Sequence, residues 1–258
     1  MAGWIVLEWL FPSSCPCDSA AKAWVEDRLQ WLSAEFDDHA FNGRRMVLPT
    51  GVFFPDPYDG SEASVRDLLD RVCGYMDVAP DLVELSLFSN TRRVRLVDGS
   101  GQYLPHAAGT YQEGEEKFII RIDQDGLSEP MGLVGTMAHE LAHVRLLGES
   151  RLSRDEYDNE LLTDLTAVFF GLGIFLANSP RVWRSQYKKW PGTELIKPEY
   201  MSRPMFGYAL AHLAWFQGET KPAWAKHLHL NARPDFKQGV RFLFRTGETA
   251  FRPKRLRR

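Results

Sequence analysis

The sequence MGLVGTMAHELAHVRLLG, residues 131–148, is almost wholly apolar, yet it carries two histidines and a glutamate at its centre. An apolar run of this length predicts a buried helix. Polar and charged side chains on such a helix cost free energy unless each of them has a partner. The presence of His139, Glu140 and His143 therefore has to be explained by something that they bind.

The residues that flank this stretch predict where its helix begins and ends. Ser128 is suited to be the N-cap, Pro130 fits the first turn, and Gly148 suits the C-terminal end. The next segment, residues 153–156, has the pattern of a capping box and predicts the start of a second long helix. We expect that second helix to continue to about Asn178.

The spacing of His139 and His143 brings two imidazoles to the same face of the predicted helix, about one turn apart. Two ring nitrogens placed in this way can bind one ion at about 2.0–2.1 Å, the length of zinc–nitrogen bonds. Glu140 is rotated by roughly 100° from His139. Its carboxylate therefore stands beside the ion, where a general base that acts on water must be.

The segment DNELLTD, residues 158–164, lies near the start of the second predicted helix and offers a candidate third ligand. When that helix turns back against the first, Glu160 reaches the ion. Asp164, one turn further on, can accept a hydrogen bond from the far nitrogen of one ligand histidine, and Asn159 can do the same for the other. Three protein ligands leave the fourth position to water, as in catalytic rather than structural zinc sites.

The two segments together resemble the motifs of the gluzincin branch of zinc metallopeptidases, the thermolysin-like enzymes. In that branch H-E-x-x-H lies on one helix and N-E-x-x-[ST]-D on the next, and both patterns are matched in full here. The resemblance implies a zincin-like fold, Zn²⁺ as cofactor and a peptide or protein as substrate. It also implies roles for particular residues, namely zinc ligation by His139, His143 and Glu160, general-base catalysis by Glu140, and orientation of the ligands by Asn159 and Asp164.

The rest of the chain predicts an α+β fold in one domain. Residues 1–127 mix helix and strand patterns around a small sheet, residues 128–250 form the helical zinc-binding part, and residues 251–258 are a basic tail. In the first part we expect helices at 21–36 and from Ser61 to about 76, a loop at 49–60, a strand at 82–88 that pairs with 91–97, and a hairpin at 109–123.

The resemblance also implies a use for the predicted hairpin. In the zincin-like fold a sheet edge lies over the zinc, and a peptide substrate pairs with it as an added strand. The hairpin directly precedes the zinc helix, so we expect residues 117–123 to form this substrate edge. A hairpin with a purely structural role is the alternative.

Peptide hydrolysis also needs a hydrogen-bond donor for the developing oxyanion, and in the gluzincin branch a downstream tyrosine or histidine supplies it. The helix predicted at 206–218 offers Tyr208 and His212 on one face, and Tyr208 is our candidate. His227 and His229 are further candidates, of which at most one can serve because they are two residues apart. A tyrosine and a histidine that only fill the core are the alternative reading.

Composition and charge narrow the classes of protein to which this chain can belong. Hydrophobic residues make up 44% and charged residues 25%, with a net charge of −3, which is ordinary for a globular protein and offers no basic stripe for nucleic acid. No stretch approaches the about 18 uninterrupted apolar residues of a membrane span. The basic cluster RPKRLRR is a solvated end or a binding arm.

The cysteines and the first residues of the sequence indicate the cellular compartment of the protein. Cys15, Cys17 and Cys73 cannot all pair, so the count does not indicate a secreted disulfide scaffold. The first residues lack the basic lead of a signal peptide. We expect a cytoplasmic protein; nothing in the sequence predicts its oligomeric state.

Two functions fit the sequence. The first is a zinc-dependent hydrolase that cleaves peptide bonds, with Glu140 as general base. The alternative is a non-catalytic zinc-containing scaffold or a regulatory, peptide-binding protein. Glu140 discriminates between them, because a structural site gains nothing from a glutamate that does not touch the metal.

Overall fold

A computed structural model describes residues 13–36, 45–89, 108–179 and 189–252. These residues form an α+β arrangement that is mostly helical, with one small mixed sheet of three strands. The helices are α1 Ser19–Glu35, α2 Glu62–Tyr75, α3 Pro130–His143, α4 Asn159–Phe169, α5 Gly173–Asn178, α6 Arg203–Gln217 and α7 Arg233–Thr246. The strands are β1 Val83–Phe88, β2 Gly109–Glu113 and β3 Phe118–Asp123.

The first two helices begin at side-chain caps. The carboxylate of Asp18 accepts a hydrogen bond from the backbone N–H of Ala21 at 2.8 Å, which starts α1 two residues before the predicted position. Ser61 caps α2 as predicted, since its hydroxyl accepts from the N–H of Ser64 at 3.3 Å. In both cases the cap satisfies an N–H that the first turn leaves unpaired.

The sheet has the order β1-β3-β2, with β1 parallel and β2 antiparallel to β3. The predicted 109–123 hairpin is confirmed, and alternate residues of β3, Ile120 and Ile122, are fully buried. The substrate edge predicted at 117–123 is wrong, because β3 is paired on both sides and has no free hydrogen-bonding edge. The outer strands of the described sheet are β1 and β2, and β2 is the outer strand that contacts α3. The strand predicted at 91–97 lies outside the described residues.

The helix with the two histidines, α3, differs at its start from the prediction. Its N-cap is Glu129 rather than Ser128, and no side chain caps it. Pro130 occupies the first turn as expected, and because proline has no N–H, that turn has one donor fewer to satisfy. After His143 the chain continues through a π-helical turn, Val144–Gly148, which ends near the predicted glycine.

The second predicted helix begins later and is divided in two. Residues 153–156 form a turn, in which the Ser153 hydroxyl accepts from the N–H of Asp155 at 3.3 Å, so the predicted capping box is wrong. The helix α4 begins instead at Asn159. It ends before Gly171, whose φ of 89° lies in the left-handed region and interrupts the helical path. The α5 segment then continues to the predicted end at Asn178.

The core of the described residues lies between the sheet, α3 and the surrounding helices. The α3 helix contacts α2, α4, α5 and strands β2 and β3. The α6 and α7 helices pack along each other, and α6 also contacts α1, α4 and α5. None of the described helices has both the length and the apolar character that crossing a bilayer requires.

Candidate metal centre

His139, His143 and Glu160 lie together, with one potential ligand atom of each within 4.8 Å of the others. The carboxylate atom Glu160 Oε2 is 3.1 Å from His139 Nε2 and 3.7 Å from His143 Nε2. Ligands at tetrahedral angles and bond lengths of about 2.0–2.1 Å stand roughly 3.3 Å apart. The two measured separations bracket that value, so the donor set fits a zinc-sized cation.

Two helices position the three ligands. The α3 helix carries both histidines, whose rings meet edge to face with centroids 4.9 Å apart. The α4 helix packs against α3 and carries Glu160 in its first turn. The ligand set is therefore created where two neighbouring helices meet, and the one-turn spacing on α3 supplies two of its three members.

The tautomer of His139 is determined by Asp164. The atom Asp164 Oδ1 is 2.8 Å from His139 Nδ1, and Asp164 Oδ2 accepts from the backbone N–H of Met201 at 2.9 Å. A carboxylate only accepts, so Nδ1 carries the proton and Nε2 presents a lone pair. That lone pair faces the Glu160 carboxylate, and two acceptors 3.1 Å apart require a cation or a proton between them.

The second histidine is oriented by a residue that the sequence argument did not select. The Thr163 hydroxyl donates to the backbone carbonyl of Asn159 at 2.8 Å and lies 3.3 Å from His143 Nδ1. Since its proton is committed to Asn159, Thr163 accepts from Nδ1–H, which leaves Nε2 of His143 free to bind.

Asn159 itself does not take the predicted role through its side chain. Its amide oxygen is buried and has no hydrogen-bond partner within the described part of the chain. Asn159 contributes instead through its backbone carbonyl, which accepts the Thr163 hydroxyl proton and so leaves that hydroxyl to accept from His143. The motif N-E-x-x-[ST]-D could have identified Thr163, because a threonine three residues after the ligand glutamate lies on the same helix face.

The charge of Glu160 suits a ligand. Burial by itself raises the pKa of Glu160, but hydrogen bonds and charge interactions with His139 and His143 lower it by more, so the net pKa is well below the usual range for glutamate. The Glu160 side chain is 29% exposed, whereas the His139 side chain is 3% exposed. The ligand group therefore opens to solvent on the side of Glu160.

Glu140 is placed beside this group and is not one of its three members. Glu140 is 4% exposed. Its side chain lies close to the start of β2, because a Cβ added to Gly109 would be 3.3 Å from Glu140 Cγ. The same strand covers His143, since the Tyr111 ring stacks on that imidazole with centroids 5.9 Å apart. Strand β2 thus lies next to both Glu140 and a ligand.

Tyr208 does not reach the position predicted for it. The residue is fully buried, and its hydroxyl donates to Glu26 Oε1 at 2.6 Å. Burial, followed by the Glu26 carboxylate, raises the pKa of Tyr208 far above its usual value. His212 on the same helix is also fully buried, with Nε2 3.0 Å from the Thr249 hydroxyl. Neither side chain can meet a substrate oxygen here, because both are enclosed and bonded to other residues.

A different tyrosine lies beside the ligands. The Tyr200 ring is 5.8 Å from the His139 ring between centroids, and the residue is half-buried. The following backbone N–H, that of Met201, is held by Asp164, which fixes this segment against α4. Sequence reasoning missed Tyr200 because it stands in a loop without periodicity, where no pattern indicates which side chains face the site.

Comparison of the chain with protein-family models, with curated protein sequences and with solved structures finds no match.

Proposed function

We propose that this chain is a zinc-dependent peptidase of the gluzincin type with a zincin-like fold. The observation that carries the proposal is the grouping of His139, His143 and Glu160, in which both histidines have Nδ1 hydrogen-bonded and Nε2 directed inward. Glu140 stands next to this group without belonging to it. That combination fits a site that both holds a metal and moves a proton.

His139, His143 and Glu160 would hold the ion. Zinc in such a site supplies Lewis acidity, which polarises the substrate carbonyl and lowers the pKa of a water molecule. Glu140 takes a proton from the attacking water as its oxygen bonds to the carbonyl carbon. Glu140 then gives that proton to the amide nitrogen as the carbon–nitrogen bond breaks, which yields a carboxylic acid and an amine, and the remaining acid proton passes to the amine to give a carboxylate and an ammonium group.

Two further parts of the site would orient the substrate. Strand β2, the outer strand of the described sheet that contacts α3, would offer backbone groups to an extended peptide that adds as another strand. Tyr200, beside His139, would donate a hydrogen bond to the oxyanion in place of Tyr208. Both assignments put the scissile bond between β2 and the 200–201 segment.

The alternative is a zinc-containing scaffold that binds peptides without cleaving them. The burial of His139 and Glu140 favours it, since a buried site is protected from water. The partial exposure of Glu160 favours the enzyme, because a substrate can approach from that side. Glu140→Gln distinguishes the two functions.

Glu140→Gln keeps the size of the side chain and removes its ability to accept a proton. We expect a folded variant with one zinc per chain, as measured by metal analysis, and with peptide cleavage reduced about 10²- to 10⁴-fold. The assay is a peptide library digested by zinc-loaded wild type and variant, with products identified by mass spectrometry. Equal cleavage by both proteins, or no cleavage by the wild type alongside equal peptide binding, would contradict the peptidase.

A further inference from the structure

The helix α1 makes a buried ion pair with the residue that directly precedes α4. Arg28 binds both carboxylate oxygens of Asp158, with Nε 2.7 Å from Oδ2 and Nη2 2.9 Å from Oδ1. Trp24, one turn earlier on the same face of α1, donates its indole N–H to Asp158 Oδ2 at 2.5 Å. The Asp158 side chain is fully buried, and the Arg28 side chain is 14% exposed. Three hydrogen bonds from one helix thus converge on this carboxylate.

Asp158 stands at the N-cap of α4, two residues before Glu160. An aspartate at an N-cap usually accepts a hydrogen bond from the first turn of its own helix, but the Asp158 carboxylate makes no such bond within the described residues. The first turn of a helix without a side-chain cap tends to fray, so another contact has to hold it. The bidentate pair with Arg28 is such a contact, and it determines direction as well as distance.

The position of Glu160 depends on this start of α4, because the residue lies in the first turn and solvent reaches its side chain. That side chain is 29% exposed, so packing around it does not hold the carboxylate in place. Glu160 Oε2 is 3.1 Å from His139 Nε2 and 3.7 Å from His143 Nε2. Ligand distances in metal sites vary by only about 0.2 Å. A small displacement of the first turn of α4 would therefore prevent the three ligands from binding one ion.

The same face of α1 also contacts the segment that approaches the metal centre from the other side. Trp24 packs on Trp190 with ring centroids 5.9 Å apart, and both residues are at most 5% exposed. From Trp190 the chain runs to Met201, whose N–H donates to Asp164, the residue that orients His139. The α1 helix is thus in contact with two of the segments that surround the ligands.

We infer that Arg28 and Trp24 are positioning residues for the metal centre, which act through Asp158. They hold the first turn of α4 at the place where Glu160 completes the ligand group. The inference goes beyond the proposed peptidase function, because it concerns the binding of the ion and not the cleavage of a substrate. It makes metal affinity depend on an arginine that lies 130 residues before its partner in the chain.

The test measures metal binding by the full-length protein. Competition with a chromophoric chelator gives the zinc affinity, and the visible absorption bands of bound Co²⁺ report the number and arrangement of its ligands. Asp158→Asn keeps the shape of the side chain and removes its charge, whereas Arg28→Met removes the guanidinium group. We expect each change to weaken zinc binding about tenfold, the lower end of the effect of groups that orient ligands, and to alter the Co²⁺ bands.

A milder variant and a matched control separate positioning from stability. Arg28→Lys keeps the charge but cannot bind two oxygens in parallel, so it should weaken zinc binding less than Arg28→Met. The control is Glu26→Gln, on the same helix, which removes another buried carboxylate that accepts from the Tyr208 hydroxyl and the Ala250 N–H. Glu26→Gln should lower the free energy of unfolding, as measured in urea, and leave the zinc affinity and the Co²⁺ bands unchanged.

The double variant Arg28→Met with Asp158→Asn should weaken zinc binding no more than the stronger single variant, because both changes remove the same ion pair. Unchanged zinc affinity and Co²⁺ bands in the single variants, additive losses in the double variant, or an equal loss in Glu26→Gln would overturn the inference and leave the peptidase standing. A wild type that binds no zinc would refute the metal centre itself, and the inference and the peptidase would then fail together.

Discussion

At the scale of single residues, the hydrogen bonds behind the ligands matter as much as the ligands. His139 and His143 present Nε2 only because Asp164 and Thr163 hold their Nδ1 atoms. The two supports differ in charge, since Asp164 is a buried carboxylate 2.8 Å from its histidine, whereas the Thr163 hydroxyl is neutral and 3.3 Å away. Charge-assisted hydrogen bonds are roughly twice as strong as neutral ones.

This difference predicts a ranking of zinc affinities. Asp164→Ala should weaken zinc binding about 10- to 100-fold, and Thr163→Val, which removes a hydroxyl at nearly constant shape, should weaken it less. Competition with a chromophoric chelator measures both constants, and Asp155→Ala on the exposed turn before α4 is the control. Unchanged affinity in Asp164→Ala would mean that its bond to Met201 is purely structural.

At the scale of elements, the break between α4 and α5 determines which residues line the site. The α4 helix carries Glu160 and Asp164, and α5 carries Phe175 and Leu176, which line a cavity beside α3. The two are separated at Gly171, which has a φ of 89° and where an added Cβ would lie 2.8 Å from the carbonyl oxygen of Arg45. A continuous helix would carry Phe175 and Leu176 in another direction.

Gly171→Ala should therefore destabilise the protein. A left-handed conformation costs a residue with a Cβ about 1–2 kcal/mol, and the contact with the Arg45 carbonyl adds to that. Gly74→Ala, in the last turn of α2 with open space around it, should not destabilise the protein and should stabilise it by at most about 0.5–1 kcal/mol, the value for a helix interior. Urea unfolding of both variants measures the change in the free energy of unfolding. If Gly171→Ala leaves this free energy unchanged, position 171 accepts a side chain and the break between α4 and α5 does not require glycine.

At the scale of the whole molecule, a buried polar cluster joins α1, α6 and the segment after α7. Glu26 accepts from the Tyr208 hydroxyl and from the N–H of Ala250 at 3.0 Å, while His212 contacts Thr249. Burial lowers the pKa of His212 to about 4, against an opposing effect of the Tyr208 carbonyl and the Glu26 charge. His212 is therefore neutral in the folded protein at neutral pH.

This cluster predicts a loss of stability in acid. The unfolded chain binds a proton at His212 near pH 6.5 and the folded protein only near 4, so stability falls as pH drops through this window. The shift corresponds to a loss of about 2 kcal/mol between pH 7 and 4.5. His212→Gln should flatten the dependence by that amount, as measured by urea unfolding of both proteins in the same metal state. A parallel pH dependence in wild type and variant would show that other groups cause it.

Local rules were enough to predict much of this protein from its sequence. The one-turn spacing of His139 and His143, the Ser61 cap and the 109–123 hairpin depend on residues that are close together in the chain, and all three predictions agree with the structure. The capping box predicted at 153–156 is absent, and Glu156 pairs instead with Arg28 at 3.2 Å, across a large sequence separation. A local pattern carries no information about such a tertiary contact.

Glu160 and Asp164 beside the histidines were predicted from the sequence, but only the tertiary structure decided which further residues join this group. It buried Tyr208 against Glu26 and brought Tyr200 to His139, although the first stands on a regular helix and the second in a loop. It also placed β3 in the middle of the described sheet and left β2 as an outer strand, because β3 pairs with β1, which ends more than twenty residues before β2 begins. Periodicity assigns a side chain to a face of its own element, but the neighbour that this face meets is determined by packing between elements that are distant in sequence.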